Sequence, residues 1–158
     1  MPFYSTTTFY GYLVFKGTEI YPYLLGGPNV TGEIFYTNSP YNLAVDGALM
    51  YSLITYGYHL EELVDLVLFL EPSNDYYEML LHHLAAVFLY LGMIGNNSIN
   101  AAAMCAYFHA MADVFVYITK ILSQTTYSKV SYVTFALMIL TWFWSRLVVV
   151  QWFAYATF

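Results

Sequence analysis

The chain has 158 residues, 60% of them hydrophobic and 9% charged, with a mean hydropathy of +0.57 and a net charge of -6. That composition excludes an ordinary soluble domain and predicts an all-α membrane protein of a single multi-pass unit. Its four basic residues, Lys16, Lys120, Lys129 and Arg146, leave no surface for nucleic acid, and no Cys-rich or His-rich spacing marks a metal or a cofactor.

Residues 1–40 hold four of the five prolines and five of the nine glycines, which break up short aromatic runs such as Phe9 to Phe15. They predict an irregular segment at the membrane surface, set apart from a transmembrane domain over 41–158. No basic leader with a long apolar core and no Arg-rich presequence is visible. Asn29-Val30-Thr31 and Asn96-Asn97-Ser98 match the glycosylation triplet, a pattern common by chance.

Four spans follow. The first covers Asn42 to about Phe69, its apolar part ending near Tyr58 because His59, Glu61, Glu62 and Asp65 come next. Pro72-Ser73-Asn74 interrupts the chain, and Ser73 to Asp75 supply caps for a second span over Tyr76–Ile94. Gly92, Gly95 and two asparagines end it. The third, Ser98–Leu122, is alanine-rich, which lets neighbouring helices approach closely. The fourth is Val130–Ala154. Lys120 and Lys129 bracket the loop before it, too small a bias to fix the orientation of the bundle.

An ionisable group at membrane depth costs roughly 2.5 to 3.5 kcal/mol on insertion scales, so it faces a bundle interior. His82-His83, His109 and Asp113 stand in runs that are otherwise apolar, and Arg146 lies well inside the last span. His109 and Asp113 are four residues apart and share a helix face. Such a set makes either a general-base site in a low-dielectric pocket or a polar network that ties helices together. The single cysteine, Cys105, is read as a packing residue.

In register, Asp75-Tyr76, Met79 and His82-His83, followed by Asn97, His109, Asp113, Lys120 and Arg146, resemble the core pattern of the TLC-domain family, best known through the ceramide synthases. The resemblance covers roughly residues 42–153. It departs from those enzymes at Ala86, where they carry threonine, and at Ala110, where an aspartate follows the third histidine. Asn100 and Ala102 replace an arginine and a glycine, Gln151 replaces a proline, and Pro72 to Asn74 stand where basic residues precede the motif. The resemblance also implies a larger bundle around an acyl-chain cavity than the four spans placed here. A half-open bundle exposes polar side chains unless a partner or a lipid covers them.

These departures favour a non-catalytic accessory subunit of a larger membrane protein complex, such as a respiratory one in the mitochondrial inner membrane. Its partners are other membrane subunits and phospholipids. In that reading His82, His83, Asn97, His109, Asp113 and Arg146 form an interior polar cluster that serves packing, with no catalytic residue, metal or cofactor. The alternative implied by the resemblance is a ceramide synthase-like N-acyltransferase of the endoplasmic reticulum. It would act on acyl-CoA and a long-chain base through His82, His83, His109 and Asp113. A lipid sensor or carrier that keeps the cavity without the chemistry is a third reading.

Overall fold

The computed structural model describes residues 2–28, 35, 41, 43–69, 76–123 and 128–149. They form five α-helices: α1 (Pro2–Phe15), α2 (Ala48–Leu68), α3 (Tyr76–Gly95), α4 (Ile99–Ser123) and α5 (Ser128–Phe143), the last continued by a π-helical segment, Trp144–Val149. By length and composition, Tyr76–Gly95 and Ile99–Leu122 suffice to cross a membrane.

The expectation of an irregular segment over 1–40 fails at its beginning, because residues 2–15 are helical. Pro2 sits at the helix start, where its missing N–H breaks no intrahelical bond. Tyr4, Thr7, Gly11 and Phe15 are buried at spacings of three and four, so α1 presents one stripe to the bundle. Gly11 makes that approach possible: a Cβ there would lie 2.6 Å from Tyr107 Cδ2 and 2.9 Å from Tyr51 Cε2. Proline and glycine counts summed over forty residues conceal a short helix whose formation depends on packing.

The first span also begins later than expected. Residues 43–47 are not helical, and Gly47, at φ 83°, turns the chain into α2. Asn100 holds this approach in place from α4: the Val45 N–H donates to its Oδ1 at 2.9 Å, and its Nδ2 donates to the Leu43 carbonyl at 3.1 Å. From Ala48 the helix continues unbroken to Leu68, through the point near Tyr58 where its apolar part gives way to His59, Glu61, Glu62 and Asp65. The two middle spans fall within a residue of expectation at each end. The last is α-helical only to Phe143, and residues 150–158 lie outside the described part.

α4 is the centre of the bundle and packs against each of the other four helices. Its Ala101, Ala102, Ala103, Ala106, Ala110 and Ala112 are all buried, and their small side chains let several neighbours approach at once. Around its N-terminal half Ala101, Ala102, Ala103 and Ala106 join Phe15, Ile20, Tyr21, Phe35, Tyr51, Tyr90 and Tyr107 in an aromatic core. α5 is different. Val133, Phe135, Leu137, Ile139 and Leu140 are exposed, an apolar surface suited to lipid.

Candidate functional site

At the end of the bundle away from the aromatic core, all five helices converge on a cavity of about 320 Å³. α1 contributes Tyr4, α2 Glu62, α3 Met79, His82 and His83, α4 Asp113, Val116, Tyr117 and Lys120, and α5 Trp142. The α4 residues repeat every three or four positions along its C-terminal half, so one helix face supplies them all. Because α3 and α4 are joined by a short turn and run antiparallel, the start of α3 lies beside the end of α4. This brings His82-His83 to Asp113 although thirty positions separate them.

The two adjacent histidines are not equivalent. Successive side chains on a helix point about 100° apart, so the two are buried to different extents. His83 is buried against α2, where its Nδ1 lies 3.5 Å from Nδ1 of His59, while His82 is exposed and borders the cavity. His59 itself is buried and stacked on Tyr90, ring centroids 5.6 Å apart. Beside it in sequence, the Tyr58 hydroxyl donates to Glu62 Oε1 one turn on, at 2.7 Å, and the Tyr58 ring stacks on Phe3 of α1 at 3.6 Å. α1 therefore closes one side of the polar end, with Tyr4 in the wall.

Of the expected polar cluster, His82, His83 and Asp113 meet at this cavity. His109 is not among the residues that line it: its Nδ1–H donates to the Cys105 carbonyl one turn back in α4, at 2.7 Å. Asn97 lies at the other end of the bundle. It adopts φ 55° after α3, with Asn97 N–H donating to Ile94 O at 3.0 Å and Ser98 N–H to Met93 O at 2.8 Å. That pattern is a Schellman cap, and asparagine is among the few residues other than glycine that tolerate its left-handed position. Sixteen residues of mostly helical rise place Asn97 roughly 20 Å or more from Asp113. Arg146 falls in the π-helical segment with its side chain outside the described part, and Asp75 lies outside the described residues.

His59, Glu62 and Tyr4 were not singled out as site residues from sequence. His59 and Glu62 sit three apart on α2 among other charged residues, which reads as a solvated face. A model of the TLC domain matches residues 1–158, the whole chain. The chain belongs to the TLC-domain family. The match takes in α1 together with the helices that carry the histidine motif, so the resemblance seen over 42–153 extends over residues 1–158 of this chain. The family is membrane-associated, in keeping with the two apolar helices of this TLC domain that are long enough to span. No curated protein and no solved structure matches the chain.

Among the described residues no group of three His, Cys, Asp or Glu side chains is placed to hold a metal ion. What the TLC-domain cavity does assemble is two imidazoles, two carboxylates, an ammonium and two phenols in an otherwise apolar helical bundle. In such surroundings an imidazole can take a proton from a bound amine or hydroxyl, and a nearby carboxylate stabilises the imidazolium that results.

Proposed function

We propose that this TLC-domain protein is embedded in a membrane through its apolar helices and receives the polar end of an amphiphile in the cavity. The reaction proposed there is N-acyl transfer of the ceramide synthase type, from acyl-CoA to a long-chain base. The observation that carries this reading is the convergence of His82, His83 and Asp113 on one open space of about 320 Å³. Packed interiors leave few voids larger than a water molecule, and a network serving only to tie helices together would close around its own polar groups. A space of this size holds a polar headgroup, while exposed apolar helix surface beside it suits hydrocarbon tails.

In the proposed reaction the amine nitrogen of the long-chain base attacks the thioester carbonyl carbon of acyl-CoA. The C–N bond forms as the C–S bond breaks. A histidine of the pair takes the proton lost by the amine and returns it to the departing thiolate, which leaves as the free thiol. Asp113 and Glu62 favour the imidazolium in between. The endoplasmic reticulum is the compartment that goes with this reading.

The test is an acyl-transfer assay on the purified chain in phospholipid nanodiscs, supplied with acyl-CoA and a long-chain base. Amide product from the wild type, abolished in a His82→Ala, His83→Ala double variant of unchanged thermal stability, is the expected outcome. Absence of product from a folded wild-type chain would overturn the reading.

A non-catalytic subunit of a larger membrane complex, in the mitochondrial inner membrane, is supported by a different observation. Ala110 stands where the enzymes that the motif resembles carry aspartate, and the preceding His109 is engaged with its own helix backbone. In that case the chain purifies only with a stoichiometric set of membrane partners and phospholipid. The double histidine variant then leaves the complex intact on a native gel.

A further inference from the structure

We infer that His59 is a positioning residue for His83, accepting a hydrogen bond from His83 Nδ1–H and so turning the Nε2 lone pair of His83 to the cavity. That a single proton lies between the two rings follows from their geometry; that His83 rather than His59 carries it rests on the function proposed above.

His59 and His83 come from different helices, are 2% and 3% exposed, and face each other through their Nδ1 atoms at 3.5 Å. The His59 ring is held in plane by Tyr90, stacked at 22°, seven residues beyond His83 on the same face of α3. Two neutral imidazoles that meet in this way have few acceptable states. Protons on both Nδ1 atoms set two N–H groups against each other, and protons on neither set two lone pairs together. One proton between the rings satisfies both.

That proton has two possible owners with different consequences. If His59 carries it, the bare nitrogen of His83 is Nδ1, already committed to His59, and the ring offers the cavity only an N–H donor. If His83 carries it, its Nε2 is bare and can accept a proton from a ligand in the cavity that His83 lines. The resulting imidazolium keeps its Nδ1–H on the unprotonated His59 nitrogen, so proton uptake needs no rearrangement. Only the second arrangement makes His83 a base toward the cavity. The groups facing it there are Glu62 from α2, His82 from α3, Asp113, Tyr117 and Lys120 from α4, and Tyr4 from α1; α5 contributes the neutral Trp142.

Histidine ring nitrogens report their tautomer directly in nitrogen-isotope NMR of histidine-labelled protein in nanodiscs, and four histidines are few enough to assign by single variants. In the wild type, His83 is expected as the Nδ1–H tautomer and His59 as the Nε2–H tautomer. His59→Phe keeps the stacking on Tyr90 but removes the acceptor, and should convert His83 to its Nε2–H form. His59→Asn, whose Oδ1 occupies nearly the position of Nδ1, should restore the Nδ1–H form. In the acyl-transfer assay, His59→Phe should lower kcat by ~100-fold with KM little changed, and His59→Asn should recover most of it. A wild-type His83 protonated on Nε2, or a His83 spectrum indifferent to His59→Phe, would overturn the inference. The wild-type spectrum decides the matter even if His59→Phe does not fold. A wild type with the expected tautomers but no transferase activity would support the inference and overturn the proposed reaction.

Discussion

Exchanging glycine for alanine at two helical positions should change stability in opposite directions. At Gly57 of α2 an added Cβ meets nothing within 4 Å, so Gly57→Ala collects only the backbone entropy that glycine forfeits in a helix, a gain of roughly 0.5 to 1 kcal/mol. At Gly11 the same gain is opposed by a clash. Carbon atoms in contact rest about 3.5 to 4.0 Å apart, whereas the new Cβ would lie 2.6 Å from Tyr107 and 2.9 Å from Tyr51. Both rings are themselves buried, Tyr51 fully and Tyr107 to within 4% exposure, so neither can swing aside into solvent. Overpacking of this kind costs about 1 to 3 kcal/mol, and with two blocked rings the upper half of that range applies, leaving Gly11→Ala about 1 to 2 kcal/mol less stable than wild type. For a chain of this size that is a fall in Tm of roughly 3 to 6 °C, against a rise of roughly 1 to 3 °C for Gly57→Ala. The single Cys105, partly buried in α4, serves as the probe: a thiol-reactive fluorophore reports its exposure as the detergent-solubilised protein is heated. If Gly11→Ala melts at or above the wild-type temperature, α1 does not pack through Gly11 onto Tyr51 and Tyr107, and the reasoning fails.

Asn100→Ala removes two hydrogen bonds to the chain entering α2. The Val45 N–H stays half-buried without its acceptor while the exposed Leu43 can turn to water, so a loss of about 2 kcal/mol is expected in the same melting assay. Tyr51→Phe should have the opposite sign. The Tyr51 hydroxyl is buried with no hydrogen-bond partner among the described residues, and deleting it should raise stability by about 1 kcal/mol; a lower Tm would show that the hydroxyl is satisfied. Tyr58→Phe keeps the stacking on Phe3 and deletes the bond to Glu62, and should cost about 1 kcal/mol, whereas an unchanged melting curve would mean that the bond is not held in the folded protein.

The helices that carry the histidine motif were legible because each is an apolar run closed by local breakers. Gly92, Gly95 and the asparagines stop α3 wherever it packs, and the composition of α4 announces a helix made for close neighbours. The family, too, was legible in the register of the polar residues, and the match over residues 1–158 bears that out. The site was legible only in part. His82, His83 and Asp113 stand out as ionisable groups in apolar runs, but His109 stands out equally and is held on its own backbone, away from the cavity lining.

Sequence by itself determined the all-helical class, the boundaries of the central helices and the polar residues that such helices must account for, since all of these follow from local composition and from breaks within one segment. Tertiary structure decided which faces meet. A helical period assigns residues to faces but does not name the neighbour, so nothing local tells that His83 is buried against α2 while His82 stays exposed. Nor does it tell that His59, in a charged stretch of α2, belongs inside with them. α1 is the clearest case. Its run of threonines and its glycine are poor helix formers alone, and Gly11 is needed because two tyrosines forty and ninety-six residues away converge on it, a contact that no local reading of residues 2–15 contains.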